Sequence, residues 1–323
     1  MVNVKTYAKV VVFLALMAAA VSCEDVPTST LPGPYVPPPV KGEDGRRLLW
    51  APKPGERQCY SPDFAPDGRK VVVSYRYGPL DPGGDLAVLN LETQKLEVIV
   101  RGNCAKAPAW SPNGEWIAYK SDRDPKPYIW LCRPDGSDHY RLDQKWAFAP
   151  RWGPEGDKIY FSCVYEAREK DYGVYYDLNE SEMHVLYRDP NRHVWNPTPA
   201  PGGEKVALRL HNADVKGIDV NLAFINTSGT GFDAVWPAGD DRVWMSPVDW
   251  SPSGRYILLG YSYPRHGSYE YGAFDVKANL FRPLTMCPPG RFSESLEGAS
   301  WGPNGDIIFA SEHGSLYLVE APE

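Results

Sequence analysis

The 323-residue chain is 43% hydrophobic and 23% charged, ordinary for a globular protein and long enough for two average domains or one repetitive all-β domain. Its formal net charge of −7 leaves no basic excess to neutralise phosphates, which excludes a nucleic-acid partner. Aromatic side chains reach 13% and suit strands better than helices, while 29 Gly and 32 Pro call for frequent turns.

Residues 1–22 read as a secretory signal peptide. Lys5 and Lys9 precede an unbroken apolar run of 12 residues, Val10 to Val21, shorter than the ~20 residues that span a bilayer. The run ends in Ala20-Val21-Ser22-Cys23, which resembles the bacterial lipobox and implies lipidation of Cys23; ordinary signal-peptidase cleavage is the alternative. Residues 23–46 then form a tether, with Pro27, Pro32, Pro34, Pro37, Pro38 and Pro39 set among Ser, Thr and Gly. Such a segment prefers extended polyproline conformations, at ~3.1 Å per residue.

The rest, residues 47–323, is repetitive. Six related units begin at 61, 107, 149, 197, 247 and 298, the clearest being APAWSPNGEWIAYKSD at 107–122. Their anchor glycines Gly68, Gly114, Gly156, Gly203, Gly254 and Gly305 stand 46, 42, 47, 51 and 51 residues apart, the length of a four-stranded propeller blade. In each unit a strand ends at an aromatic, a Pro-x-Gly or Pro-Gly-Gly turn reverses the chain, and a β-branched run follows, as in Lys70-Val71-Val72-Val73. Pro presets φ and Gly accepts φ > 0. Third strands are expected at 85–91, 128–132, 174–178, 221–225, 271–276 and 315–319. Fourth strands are expected at 96–100, 140–142, 183–187, 232–236 and 281–284.

The last unit is one strand short, and Arg47-Leu48-Leu49-Trp50 has no other partner. The expected architecture is therefore an all-β, six-bladed β-propeller whose ring is closed by this N-terminal strand, which leaves no open sheet edge between first and last blades. The recurring Trp110, Trp152, Trp250 and Trp301 read as core packing.

The units resemble the WD-repeat-like propeller repeats of TolB-type proteins, near W-S-P-D-G-x-x-I-A-F-x-S-x-R, over roughly residues 47–320. The second blade continues the longer pattern through Ser121-Asp122-Arg123-Asp124, Tyr128-Ile129-Trp130-Leu131 and Pro134-Asp135-Gly136. Blade four departs, with Pro199 in the Trp position, and an α/β domain that TolB carries before its propeller is replaced here by the tether.

Long connections are expected on one face only, at 76–84, 164–173, 211–220, 262–270, 188–197, 237–247 and 285–298. Long loops on a rigid scaffold are where binding usually resides. They hold Arg76, Arg123, Arg168, Tyr172, Arg192, His193, Trp195, His211, Arg242, Trp244, Tyr263, Arg265, His266 and His313. Aromatic and Arg anchors enrich binding surfaces, although polar loops also arise from solvation alone.

Gly-x-Ser-x-Gly occurs only inside the repeat unit that begins GASWGPNG at 298, and His-Glu-x-x-His does not occur, so no catalytic residue is assigned. Nor does Cys-x-x-Cys occur, and no metal or cofactor is assigned. Cys59 and Cys104 precede their anchors by similar distances and are the candidate disulfide. The expected protein is a monomeric, non-catalytic propeller, lipid-anchored in the bacterial cell envelope and facing the periplasm. Its loop face binds a protein, peptide or glycan. The alternative is an envelope polysaccharide lyase with a metal held by loop-face histidines, as the resemblance to lyases with TolB-like propellers implies.

Overall fold

The computed structural model describes residues 46–77, 84–102, 105–124, 126–164, 170–211, 220–235, 244–262, 269–286, 298–311 and 313–321. Among them are 24 strands and no helix. β1 is Arg47–Trp50. The first blade is β2 (Gln58–Phe64), β3 (Lys70–Arg76), β4 (Asp85–Asn90) and β5 (Leu96–Val100). The second is β6 (Ala105–Trp110), β7 (Ile117–Ser121), β8 (Tyr128–Cys132) and β9 (Tyr140–Lys145). The third is β10 (Ala147–Trp152), β11 (Lys158–Val164), β12 (Asp171–Asp177) and β13 (Glu182–Tyr187). The fourth is β14 (His193–Pro199), β15 (Lys205–His211), β16 (Val220–Asn226) and β17 (Asp233–Val235). The fifth is β18 (Trp244–Trp250), β19 (Tyr256–Ser262), β20 (Tyr269–Asp275) and β21 (Leu280–Met286). The last comprises β22 (Ala299–Trp301), β23 (Asp306–Ala310) and β24 (Leu316–Glu320).

Each blade is a four-stranded antiparallel sheet, and the last is completed by β1, in the order β1-β24-β23-β22. Arg47 stands opposite Leu318 and Leu48 opposite Tyr317. The missing strand and the orphan strand thus pair as the sequence suggests.

Six apolar clusters lie between neighbouring blades, one per interface. Cys59, Val71 and Leu89 of the first blade meet Ile308, Leu316 and Leu318 of the last, which closes the ring by packing as well as by hydrogen bonding. The anchor tryptophans are 6–9% exposed and pack against the preceding blade. Two also staple blades together: the Trp152 indole donates to the Ala109 carbonyl (3.0 Å) and that of Trp250 to the Thr198 carbonyl (2.9 Å). Every anchor glycine has φ between 68° and 90° and its amide donates to the carbonyl three residues back, at 2.9–3.1 Å, a hydrogen-bonded β-turn.

Inner strands are longer than the repeat pattern suggests, and the reason is a bulge. Ser61, Ala107, Ala149 and Asn196, each seven residues before its anchor glycine, take φ of 47–53°, and the register slips beside each. The bulge absorbs one residue and lets the strand run on toward the loop face. Arg76, Tyr172, His193, Trp195, His211 and Trp244 consequently lie in strands, not in loops. β17 is shorter than expected and β9 and β21 are longer.

Candidate functional site

At the loop end of the ring three aromatics of the inner strands β2, β10 and β14 each meet a cation from a second strand, β3, β7 or β15. In the first blade the Arg76 guanidinium lies 4.7 Å from the Tyr60 ring centroid. At the second and third, the Lys120 ammonium lies 4.8 Å from that of Phe148. In the fourth, Arg209 lies 5.0 Å from Trp195. Tyr60, Phe148 and Trp195 occupy one repeat position, eight residues before their anchor glycines. Cations attract aromatic faces, more strongly when partly desolvated, and Arg76 and Arg209 are only 4% and 5% exposed.

The fourth-blade set is the most elaborate. His193 stands opposite His211, and Trp195 opposite Arg209, on one face of β14–β15. His211 stacks on Trp195 with centroids 4.6 Å apart at 24°, and the two imidazoles are 6.1 Å apart. Asp171, from the neighbouring blade, orients the group: its carboxylate lies 2.9 Å from His193 Nδ1 and accepts the Trp195 indole N–H. The Asn196 side-chain amide donates to Ser246 Oγ at 2.9 Å, linking this set to the fifth blade.

Other expected residues stand apart from it. Arg123 stacks on Trp130 at 3.8 Å, Tyr172 packs against the core between blades two and three, Arg192 is half-buried, and His313 is exposed in the β23–β24 turn. Trp244 opens β18, with its side chain outside the described residues. Cys23, Cys104, Arg168, Arg242, Tyr263, Arg265 and His266 also lie outside them. Cys59 is a free thiol, fully buried between the first and last blades.

The sequence reading missed Tyr60, Lys106, Lys120, Phe148, Asp171 and Arg209, because it searched loops for polar residues. The usable signal was a charged or large aromatic residue inside an otherwise apolar, alternating strand. It also missed Trp146, which is 39% exposed, holds φ of 58°, and has the Lys126 ammonium 5.5 Å from its ring. A bulky residue in the left-handed region stores strain of the kind found at binding sites.

Nearer the turn end a charged triad meets at the axis. Asp63, Arg151 and Asp249 immediately precede the aromatics Phe64, Trp152 and Trp250, in blades one, three and five. Arg151 Nε reaches the Val248 carbonyl of a non-adjacent blade at 3.1 Å. Asp63 accepts the Trp110 amide and Asp249 the Trp301 amide, both at 2.7 Å. Both residues are half-buried. Burial, with the charge of Asp249 second, pushes the Asp63 carboxyl up to about 7, and burial raises Asp249 as well. This triad ties blades together, and the charge of Asp249 adds to burial in disfavouring ionisation of Asp63.

Among the described residues, the side chains close enough to share a metal ion are Glu180, Glu182 and His184, on the exposed outer hairpin of blade three. The loop-end histidines are not among them.

A closed six-bladed ring of four-stranded antiparallel blades defines a β-propeller. The sequence profile of the TolB beta propeller domain matches residues 45–230, and the chain belongs to that family. It is 25% identical over 196 residues to the Tol-Pal system protein TolB of Francisella tularensis, covering 59% of this chain and 44% of that protein. It spans about half the length, or less, of the curated relatives it matches. A putative TolB from Agrobacterium tumefaciens superposes with a TM-score of 0.67 at 17% identity, over 86% of this chain and 94% of the other. An oligogalacturonate lyase from Vibrio parahaemolyticus gives 0.57 at 12% identity, over 86% and 94%. These two likenesses are of fold alone.

Proposed function

We propose that this protein is a non-catalytic, TolB-like binding propeller of the bacterial cell envelope, exported by residues 1–22 and anchored through a lipidated Cys23. A protein, peptide or glycan partner docks at the loop end of the inner strands. The observation that carries the reading is the repeated cation–aromatic pair, Arg76 with Tyr60, Lys120 with Phe148 and Arg209 with Trp195. The equivalent position holds Lys106 in the second blade and Ser246 in the fifth, so the fold does not require an aromatic there, and aromatic and Arg residues are what binding centres use. Similarity to a Tol-Pal system protein supports a protein partner in the envelope.

Two substitutions test the docking end. Trp195→Ala lies at the loop end and Asn113→Ala in an exposed turn at the other. Envelope material retained by the wild-type protein is lost with the first and kept with the second; equal retention by both refutes the assignment. Mass spectrometry of the mature N-terminus tests the anchor, which predicts a diacylglyceryl mass on Cys23.

A second reading, a polysaccharide lyase using a metal on loop-end histidines, draws on the nearness of His193 to His211 and on the lyase-like fold. It requires stoichiometric metal in the purified protein, lost on His211→Ala with the ring intact.

A further inference from the structure

Lys106 and Lys120 are directly opposite one another on β6 and β7. Like charges in that relation destabilise a sheet. Both ammonium groups converge on one acid, with Asp122 at 3.0 Å from Lys106 and 3.1 Å from Lys120. Among the described residues Asp122 is the sole acid paired with either. Each ammonium has three N–H donors, so one carboxylate leaves donors unspent and one positive charge in excess. The lysine side chains are recessed, 28% and 18% exposed, and Lys120 also lies against Phe148.

The repeat does not demand this arrangement. The equivalent cross-strand pairs are Tyr60 with Ser74, Phe148 with Ser162, Trp195 with Arg209, and Ser246 with Gly260. Among the described residues the other four pairs carry one cation at most, so the paired lysines are an addition to the fold. Charge-assisted hydrogen bonds to a carboxylate are among the stronger polar contacts, and Asp122 already shows that a carboxylate fits between the two ammonium groups.

We propose that Lys106 and Lys120 receive a carboxylate side chain from an acidic polypeptide partner. The proposal rests on the loop end being the docking face. A flexible Asp or Glu side chain can reach recessed ammonium groups. The carboxylate of a uronic acid is fixed to its ring, so its sugar would have to enter between the blades. The protein as a whole, at −7, repels such a peptide, so retention requires the local excess of positive charge.

The test is fluorescence anisotropy of a fluorescein-labelled hexaglutamate peptide at low salt, with oligogalacturonate as competitor. Wild-type protein binds the peptide and loses it as salt is raised. The double variant Lys106→Gln/Lys120→Gln binds at least roughly tenfold more weakly. Asp122→Asn, which removes the internal competitor, binds several-fold more tightly. Thermal unfolding of each variant confirms an intact ring. No peptide binding by the wild type, unchanged affinity in the double variant, or stronger competition by oligogalacturonate than by unlabelled peptide overturns the proposal. If Trp195→Ala abolishes retention of envelope material while the double variant retains it, the docking face stands and the lysine site falls. If neither variant affects retention, both fall.

Discussion

Pro303 in the turn of the last blade packs against Gly68 in the turn of the first, so close that a Cβ on Gly68 would lie 3.1 Å from the proline ring. The relation repeats around the ring. Pro66 faces Gly114 at 3.4 Å, Pro112 faces Gly156 at 3.7 Å, Pro154 faces Gly203 at 3.5 Å and Pro201 faces Gly254 at 3.5 Å. Only Gly305 lacks it, with nothing among the described residues within 4 Å. The anchor motif is thus a contact between blades as well as a turn within one.

Replacing Gly68 and Gly305 by alanine separates those two roles. Both have positive φ, 68° and 90°, and both alanines meet the left-handed penalty of ~1–2 kcal/mol. Gly68→Ala also crowds Pro303 and loses up to ~1 kcal/mol more. Urea unfolding measures both; equal losses would remove the inter-blade role.

The closing strand should matter far more than the segment before it. Deleting residues 47–51 strips β24 of its partner and removes Leu49 and Trp50, which pack into the cluster at the seam. Deleting residues 24–45 leaves that pairing in place. Thermal unfolding of the two truncations tests this, and equal midpoints would contradict closure by β1.

The architecture was legible because its signals are local and repeated: six Pro-x-Gly or Pro-Gly-Gly turns, β-branched runs after each, and blade-length spacing. The closure followed from counting strands. The site was less legible because it is assembled by register. Nothing local to Lys106 says that it faces Lys120, and Asp171 meets His193 and Trp195 only through the stacking of two blades. The bulge at Asn196 lies in β14, and His193, Trp195 and His211 stand in strands instead of the expected loops. The axial triad was invisible for the same reason, since Asp63 and Asp249 come together across 186 residues of sequence.

Asp63 gives the ring a pH dependence of defined sign. Its carboxyl is raised to about 7 from an ordinary value near ~3.9, so the folded ring holds its proton more tightly than the unfolded chain. Its contribution is fully present below about pH 4, is lost as pH rises toward 7, and is flat above that. Asp249 and Arg151 are the charged groups facing it. Asp63→Asn keeps an acceptor for the Trp110 amide and removes the ionisation. Relative to wild type, the variant should gain stability between pH 5 and pH 8, by a few kcal/mol at most. An unchanged difference at the two pH values would contradict the assignment.

Three buried thiols report on the packing between blades. Burial pushes the Cys132 and Cys163 thiols up to about 12 and raises Cys59 further, so none forms a reactive thiolate at neutral pH. All three should resist a disulfide reagent in the folded protein and react on unfolding. Fast reaction of any of them in the native state would show that its interface opens.

The central claim, that the partner docks at the loop end of the inner strands, is tested most directly by site-specific photocrosslinking in the envelope. Benzoylphenylalanine at Trp146 marks the loop end, and at Asn113 the turn end. The account predicts a discrete adduct from position 146 and none from position 113. An adduct from position 113 alone would place the partner on the opposite face and contradict it.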